Sequence, residues 1–389
     1  MANTYREVTS QTGLGGNIKR RFGGMIVGIL LFLGAFPLLW WNEGQLKQQH
    51  EGLDWLTETT ASVDPREAGS GTEGQPVHLV GMAETSEALT DSLFSLSLNG
   101  LLRLNRQVEM YQWKETETTR TEDTAGGGSR TITEYSYSKV WSEEAINSSG
   151  FARGGYDNPS MPYQSQWFNA RAATLGVFEL QDNVITRLDD TAVLPITTYP
   201  IEPPIGFIAA NETQLFRGEG SLNDPLIGDI RTQFNYVSNQ TISVLARQSG
   251  TRLAQINTPN NLNYLLVDQG DHTAVQLIEA KRSEEELKAW IFRGVGLLMM
   301  LIGVQSIFHF IGSLFGFIPF VRGFVGGIGF LAGFLVALTL GSLTIATAWL
   351  AARPSFAIAL FGLAAITFIG GTVFGRRNVR KTRDKLANA

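Results

Sequence analysis

The sequence predicts an α+β membrane protein with four transmembrane helices, one N-terminal and three C-terminal, and a large β-rich extramembrane domain inserted between the first and the second. Two observations support this prediction. Apolar residues fill one run at 23–41 and a nearly continuous tract at 289–374, whereas the long region between them is polar and alternates as strands do. A run of about twenty apolar residues matches the roughly 30 Å hydrocarbon core of a bilayer.

The first transmembrane helix is predicted at residues 23–42, after a tail of residues 1–22. Basic residues at positions 19–21 precede the apolar run, and Trp40 and Trp41 close it as interfacial anchors. A cleaved signal peptide is the competing interpretation. The run is long, however, and no Ala-x-Ala-like site follows it, so we expect an uncleaved anchor.

The C-terminal tract divides into three helices where proline and arginine interrupt it. These helices are predicted at residues 283–317, 324–351 and 355–374. A capping box of Ser283 and Glu286 is expected to open the first of them, because the two side chains satisfy free backbone N–H groups.

Lysine and arginine flank the outer ends of the first and last helices. By the positive-inside rule, the tail at 1–22 and the basic tail at 375–389 are both cytosolic. The β-rich region is then non-cytosolic. The membrane is the cytoplasmic membrane if the organism is bacterial, or the endoplasmic reticulum or inner nuclear membrane if it is eukaryotic.

The region between the first two helices consists of a stalk and loop at 43–75 and a β-rich domain at 76–282. Strands are predicted at 77–82, 108–119, 131–140, 228–237, 241–248 and 264–268, and residues 273–288 are predicted to be helical. A polar, glycine-rich loop at 122–129 joins two of these strands as a long hairpin. We expect an antiparallel sheet or partial barrel whose aromatic strand face contains Tyr111, Trp113, Tyr135, Tyr137 and Trp141.

The pattern offers no chemistry for catalysis. The chain has no cysteine, and its four histidines form no metal-binding motif. Its net charge of −5 is not the concentrated basic charge that nucleic-acid binding needs. We therefore expect no enzymatic activity, no cofactor, no metal ion and no nucleic-acid partner.

Polar residues inside the second helix support two alternatives. Gln305, His309 and Ser313 follow at intervals of four, so they share one helix face. A channel or transporter subunit would line a pathway with them. A packing or interfacial role is favoured, because the helical rise places His309 about 28 Å from the outer boundary, near the cytosolic surface.

Glycines spaced by four residues allow helix backbones to approach closely. The favoured interpretation is that these glycines allow packing within one helix bundle. The alternative is that they mediate self-association between copies of the chain. The pairs are Gly24 and Gly28, Gly323 and Gly327, Gly329 and Gly333, and Gly371 and Gly375.

Several short motifs closely resemble the LUMA family of membrane proteins. The most specific is the strand Val108-Glu109-Met110-Tyr111-Gln112-Trp113, and the others include Tyr135-Ser136-Tyr137, Asn158-Pro159-Ser160-Met161 and Gly228-Asp229-Ile230-Arg231. The likeness covers nearly the whole chain, and the family's pattern is also one span, a large extramembrane region and three spans.

The resemblance implies a non-enzymatic, self-associating membrane organiser. In animal members it implies residence in the endoplasmic reticulum and inner nuclear membrane, with lamins and emerin as partners. The expected partners of this chain are therefore the lipid bilayer, further copies of itself and, in a eukaryote, membrane or lamina proteins. No catalytic residue is transferred from the family.

Overall fold

The computed structural model describes residues 3–124, 128–189, 191–199, 201–315, 329–350 and 354–387. It confirms an α+β chain in which a β-rich domain lies between the first and second apolar helices. The helices are α1 (Leu14–Thr59), α2 (Asp182–Ile185), α3 (Ala274–Phe315), α4 (Gly329–Trp349) and α5 (Pro354–Ala387).

Three of these helices are long and apolar enough to cross a membrane, within Gly15–Thr59, Ala274–Gly312 and Phe330–Trp349. A fourth, shorter apolar stretch lies at Ala357–Val373. The chain is therefore an integral membrane protein with one N-terminal and three C-terminal apolar helices.

Helix α1 extends beyond the apolar run at both ends. It begins at Leu14, passes through Pro37, and continues to Thr59, so much of the segment expected as a stalk is helical. The leucines of that segment explain why the helix continues. Leu46, Leu53 and Leu56 recur at helical spacing and are buried, which gives the helix a continuous packed side.

Helix α3 begins with a capping box at a different place from the one expected. The Thr273 hydroxyl accepts a hydrogen bond from the Gln276 N–H (3.2 Å), and the Gln276 side chain accepts one from the Thr273 N–H (2.7 Å). The prediction of Ser283 and Glu286 was wrong, since both lie inside the helix that this box opens. The helical segment expected at 273–288 is confirmed.

The described residues form nineteen strands. They are β1 (Asn3–Thr12), β2 (Ala61–Ser62), β3 (Pro76–Thr85), β4 (Ala88–Asp91), β5 (Leu96–Asn99), β6 (Leu101–Asp123), β7 (Ser129–Ser142), β8 (Gln166–Asn169), β9 (Ala173–Leu175), β10 (Phe178–Leu180), β11 (Ala192–Val193), β12 (Ile208–Ala209), β13 (Gln214–Arg217), β14 (Ile230–Ser238), β15 (Gln240–Ser249), β16 (Arg252–Ala254), β17 (Ile256–Asn257), β18 (Asn263–Tyr264) and β19 (Leu266–Gln269). These strands include the predicted ones, except that the strand predicted at 264–268 divides into β18 and β19, which lie in different sheets.

The strands form two large sheets. The first has the order β1-β7-β6-β14-β13-β12, with β8 also paired to β6 and β11 to β14. The second has the order β19-β15-β16-β10-β9-β3-β2, and a further pairing of β15 with β3 closes five of its strands into a ring. Both a sheet and a small barrel are therefore present. Two short hairpins pair β4 with β5 and β17 with β18.

The chain divides into two compact units. The β unit comprises Met1–Glu7, Gly52–Thr119 and Thr133–Lys281. The helix unit comprises Val8–Glu51, Arg120–Ile132 and Arg282–Ala389. Strands from both sheets supply the main core of the β unit, including Leu104, Val108 and Met110 at even positions of β6, all fully buried.

The N-terminal tail contacts the tip of the β6–β7 hairpin within the helix unit. The Thr12 and Ser129 hydroxyl oxygens lie 2.8 Å apart, and the Arg20 guanidinium donates to the Thr131 hydroxyl (3.4 Å). The charge rule assigns the tail and the 122–129 loop to opposite sides of the membrane. This contact instead brings both segments to one place.

Glycines let α1 and α3 pack closely. A Cβ added to Gly303 would lie 2.6 Å from the Gly28 carbonyl oxygen and 2.6 Å from the Phe32 Cβ. Gly28 in turn faces Ser306, and Gly296 faces Leu39. These contacts join early residues of α1 to late residues of α3, so the two helices run antiparallel within the helix unit.

We predict that Gly303→Leu destabilises the helix unit, because the added side chain must displace the α1 backbone. Overpacking of this kind typically costs about 1–3 kcal/mol. Thermal unfolding in nanodiscs measures the loss as a lower Tm. Gly294→Leu on the same helix is the matched control, since nothing lies within 4 Å of its Cβ position. Equal melting temperatures for the two variants would contradict the close contact.

Candidate functional sites: a buried helix clamp and an aromatic sheet face

Glu43 of α1 and Arg293 of α3 form a bidentate ion pair inside the helix unit. The guanidinium Nε and one Nη donate to the two carboxylate oxygens, each at 2.7 Å. The Trp349 indole N–H, at the end of α4, donates to the same carboxylate. We call Glu43, Arg293 and Trp349 the helix clamp.

All three members of the helix clamp are buried, with exposures of 2% for Glu43, 6% for Arg293 and 4% for Trp349. Neighbouring Asn42 donates to the Ala289 carbonyl of α3 (3.2 Å). Charges taken out of water are costly unless they are paired and hydrogen-bonded. Here the carboxylate accepts from both partners, so the pair is compatible with burial and ties three helices together.

A second polar contact lies two helical turns along α1. The His50 Nδ1 atom is 3.2 Å from an Arg282 nitrogen, and its Nε2 atom is 3.5 Å from the Glu286 carboxylate. The imidazole also meets the Trp349 ring edge to face, with ring centroids 6.3 Å apart. Trp349 therefore links this contact to the helix clamp.

The helix clamp was not predicted from the sequence, although the sequence contains a signal for it. Arg293 is an isolated charge inside an apolar tract, and Glu43 follows the Trp40-Trp41 anchor. An ionisable residue inside an apolar helix usually has a partner of opposite charge. The predicted topology puts Arg293 near the non-cytosolic end of its helix, where the positive-inside rule disfavours arginine, and pairing with Glu43 accounts for its position.

We predict that Glu43→Gln lowers the free energy of unfolding by about 3–5 kcal/mol, because it leaves a buried guanidinium without a counter-charge. Denaturant titration in a mild detergent measures this loss. Glu51→Gln removes an exposed carboxylate of the same helix, 3.8 Å from Lys47, and serves as the control. It should change stability by no more than about 1 kcal/mol. The double variant Glu43→Leu with Arg293→Met should recover part of the loss. Equal stabilities for Glu43→Gln and Glu51→Gln would contradict the clamp.

The five aromatic residues proposed for a sheet face lie together on the β unit. Tyr111 and Trp141 face each other across β6 and β7, with ring centroids 5.2 Å apart. The Lys139 ammonium lies 5.1 Å from the Trp113 ring, and Tyr137 donates to Glu115 (2.6 Å). Alternate positions along each strand share one side, and the contacts of Tyr111 with Trp141 and of Trp113 with Lys139 place the two sets on the same side of the sheet.

Part of this aromatic face is covered by the segment that follows β7. Tyr137 stacks on Tyr156 at 3.8 Å, and Trp113 meets the same ring edge to face at 4.8 Å. Burial and the hydrogen bond to Glu115 raise the pKa of Tyr137 to about 12, so its phenol stays protonated as a donor. Tyr135 instead stacks on Tyr5 of β1 at 6.3 Å.

The residues that carry the family resemblance hold this face together. Asn158 accepts from the Trp113 N–H (2.7 Å) and donates to the Trp113 carbonyl (2.9 Å), which fixes the covering segment to β6. Asp229 accepts from the backbone N–H groups of Glu219, Gly220 and Leu226. Gly228 has φ +96°, a conformation that favours glycine.

Arg231 completes the face. Its guanidinium donates to Glu109 at 2.7 Å and lies 4.6 Å from the Trp141 ring. The Arg231 guanidinium thus takes part in both an ion pair and a cation–π contact. The arrangement binds strands β14, β6 and β7 together on their outer side.

The polar face proposed on the second transmembrane helix divides between two environments. Gln305 lies against α4, where its amide nitrogen would be 2.8 Å from a Cβ at Gly333. His309 is exposed, and its backbone carbonyl accepts from Arg21 (3.4 Å). Ser313 is helical, and its surroundings lie outside the described residues. Gln305 and His309 therefore lie in different surroundings, and the pathway proposed through them stays a prediction.

The glycines proposed for helix packing also divide. Gly28 and Gly333 pack against α3, a Cβ added to Gly371 would lie 3.5 Å from Leu335, and Gly24 has open surroundings. Gly323 and Gly327 lie outside the described residues, as do the surroundings of Gly329 and Gly375. Gly296, Gly303 and Gly341 make close helix contacts that the four-residue spacing did not reveal.

Similarity to known proteins covers most of the chain. A family model described as Transmembrane protein 43 matches residues 110–354. Transmembrane protein 43 of Homo sapiens is 31% identical over 377 residues, which is 93% of each chain. The Transmembrane protein 43 homolog of Drosophila melanogaster is 27% identical over 338 residues, 85% of this chain and 89% of its own. No solved structure matches the chain.

Proposed function

This chain belongs to the Transmembrane protein 43 family, also called LUMA, and on that premise we propose that it is a non-catalytic, self-associating organiser of its membrane. The observation that carries the proposal is the structural role of the residues in the family motif. Asn158, Asp229 and Arg231 are engaged in holding loops and strands together. Such residues suit a rigid module that presents a surface.

The helix clamp supports the same function. An organiser has to transmit a fixed geometry from its membrane helices to the copies and partners around it. The bidentate pair of Glu43 and Arg293 holds α1 and α3 at one register, and Trp349 adds α4. A helical unit fixed in this way favours assembly through rigid outer surfaces.

Lateral contacts with further copies would use the outer side of the bundle. Helix α5 buries Ala357, Ala364 and Thr367 on its inner side. On its outer side, Gly362 and Gly370 have nothing within 4 Å of their Cβ positions, and Ile366 between them is 70% exposed. These positions are available for substitution without disturbing the chain's own packing.

We predict that the full-length chain in native nanodiscs has the mass of a defined oligomer, as measured by native mass spectrometry. Gly362→Leu with Gly370→Leu should reduce the oligomer, because both side chains enlarge the outer side of α5. Gly44→Leu, on α1 with open surroundings, is the control. A monomeric wild-type chain would sink the self-association proposal, whereas an unchanged double variant would reject only α5 as the contact.

We further propose that the basic tails are cytosolic and that the body of the β unit is non-cytosolic, as the Lys/Arg bias indicates. In this topology β1 separates from β7, with which it pairs in the first sheet. In sealed vesicles, an engineered cysteine at Ser149, which is exposed, should react with an impermeant maleimide only from the non-cytosolic side. The chain has no cysteine of its own to interfere. Cytosolic labelling at position 149 would contradict this orientation.

Cysteine labelling also tests the contact between the N-terminal tail and the tip of the β6–β7 hairpin. Since Thr12 and Ser129 are in contact, cysteines at the exposed neighbouring positions Ser10 and Thr124 must react from one common side. The charge bias assigns Ser10 to the cytosol. Labelling of these two positions from opposite sides would show that the tail and the hairpin tip separate in the membrane.

A further inference from the structure

A cleft opens at one edge of the first sheet of the β unit, where β8 pairs with β6. It has a volume of about 490 Å³, within the range of small-molecule sites. Strands β4 and β8 form its walls. Its lining includes Glu87, Thr90, Gln166, Trp167, Asn169 and Asp182.

Trp167 provides a flat apolar surface in this cleft. Trp167 is 44% exposed, although it lies in β8, which is paired to β6. The guanidinium of Arg103 lies 3.9 Å from its ring centroid. Arg103 is held in turn by the carbonyls of Thr186 (3.1 Å) and Leu188 (2.7 Å). The indole therefore rests on a buried, fixed cation on one face.

The polar groups of the cleft are also held in place. Asn169 accepts from Arg103 (3.2 Å) and donates to the Asp182 carboxylate (2.9 Å). Glu87 accepts from two backbone N–H groups, those of Arg171 (2.6 Å) and Ala172 (3.0 Å). Each carboxylate has further acceptor positions beyond these bonds, because an ionised carboxylate offers about four.

The strand walls are joined behind the cleft. Asp91, which follows Thr90 in β4, forms a buried ion pair with Arg106 of β6 at 2.7 Å. Arg106 also donates to the side chain of Gln166 in β8 (3.2 Å). Both walls are therefore tied to β6, and the cleft is preformed rather than assembled by its ligand.

Charge narrows the class of ligand. Glu87 and Asp182 disfavour phosphates and other anions, and the guanidinium groups of Arg103 and Arg171 balance their charge. A cationic ligand is disfavoured over the indole, because Arg103 already occupies the ring's other face. The ligand class that fits the cleft is therefore a neutral ring. Its apolar face can stack on Trp167, and its hydroxyl groups can donate to carboxylate and amide oxygens.

We propose that this cleft binds a neutral saccharide of one or two pyranose rings, with one sugar face stacked on Trp167 and its hydroxyl groups donating to Glu87, Asp182 and the amide of Gln166 or Asn169. The sugar is either a free saccharide or the headgroup of a neutral glycolipid. This inference does not depend on self-association.

The test is saturation-transfer NMR on the full-length chain in nanodiscs, with neutral disaccharides of glucose, galactose and N-acetylglucosamine as probes. We expect transfer to the ring C–H protons of at least one disaccharide. Trp167→Ala should weaken that binding at least tenfold. Tyr199→Ala, another partly exposed aromatic residue of the β unit, should not change it. Absence of transfer to every probe, or unchanged binding by Trp167→Ala, would overturn the proposal.

A second variant tests the site in case Trp167→Ala fails to fold. Glu87→Gln keeps the size of the side chain and one oxygen for the N–H groups of Arg171 and Ala172, so it should fold normally. Loss of one hydrogen bond should weaken binding about fivefold. Unchanged affinity in Glu87→Gln would overturn the proposal, because Glu87 is one of the acceptors that it names.

The source of the sugar is distinguished in the same preparation. Nanodiscs that contain a neutral glycolipid should block transfer to the added disaccharide if the headgroup reaches the cleft. Transfer that is unaffected by the glycolipid identifies a free saccharide as the ligand. Both results support a saccharide site at Trp167.

Discussion

The ion pair between Glu43 and Arg293 is the constraint on which the helix unit depends. A buried carboxylate and guanidinium are tolerated only when each satisfies the other, so the pair admits one geometry. A slip of one residue along either helix would turn one side chain by about 100° and leave two uncompensated charges. The pair therefore fixes the register of α1 against α3, and the close approach of Gly28 to Gly303 further along the same helices follows from that register.

The β unit reaches a fixed geometry by a different route. Leu104, Val108 and Met110 of β6 enter the apolar core, whereas Tyr111 and Trp113 of the same strand lie in the aromatic face with its polar supports. Period-two alternation therefore separates the buried side of the strand from its outer surface. Asn158 and Asp229 bind loop backbone to this surface, so the loops are ordered by the same residues that make the family motif recognisable.

Local features of this fold were predictable from the sequence, because they depend on spacing within one segment. The alternation at 131–140 identified β7, the apolar runs identified the four helices, and alternate positions placed Tyr111 and Trp113 on one side of β6. The capping box was also local, yet Ser283 and Glu286 were chosen over Thr273 and Gln276. The errors at α1 arose because Leu46, Leu53 and Leu56 were interpreted as scattered rather than as a helical repeat.

Contacts between distant segments were not predictable in this way, and they determine where a ligand would bind. Glu43 and Arg293 are separated by 250 positions, and Arg103 meets Trp167 only through the pairing of β6 with β8. In the helix clamp the charges satisfy one another, so a ligand would first have to replace existing bonds. At the cleft, a fixed indole remains 44% exposed beside carboxylates with acceptor positions to spare. The long-range contacts that hold Trp167 thus leave the cleft as a preorganised site, whose ordering cost is already met by folding.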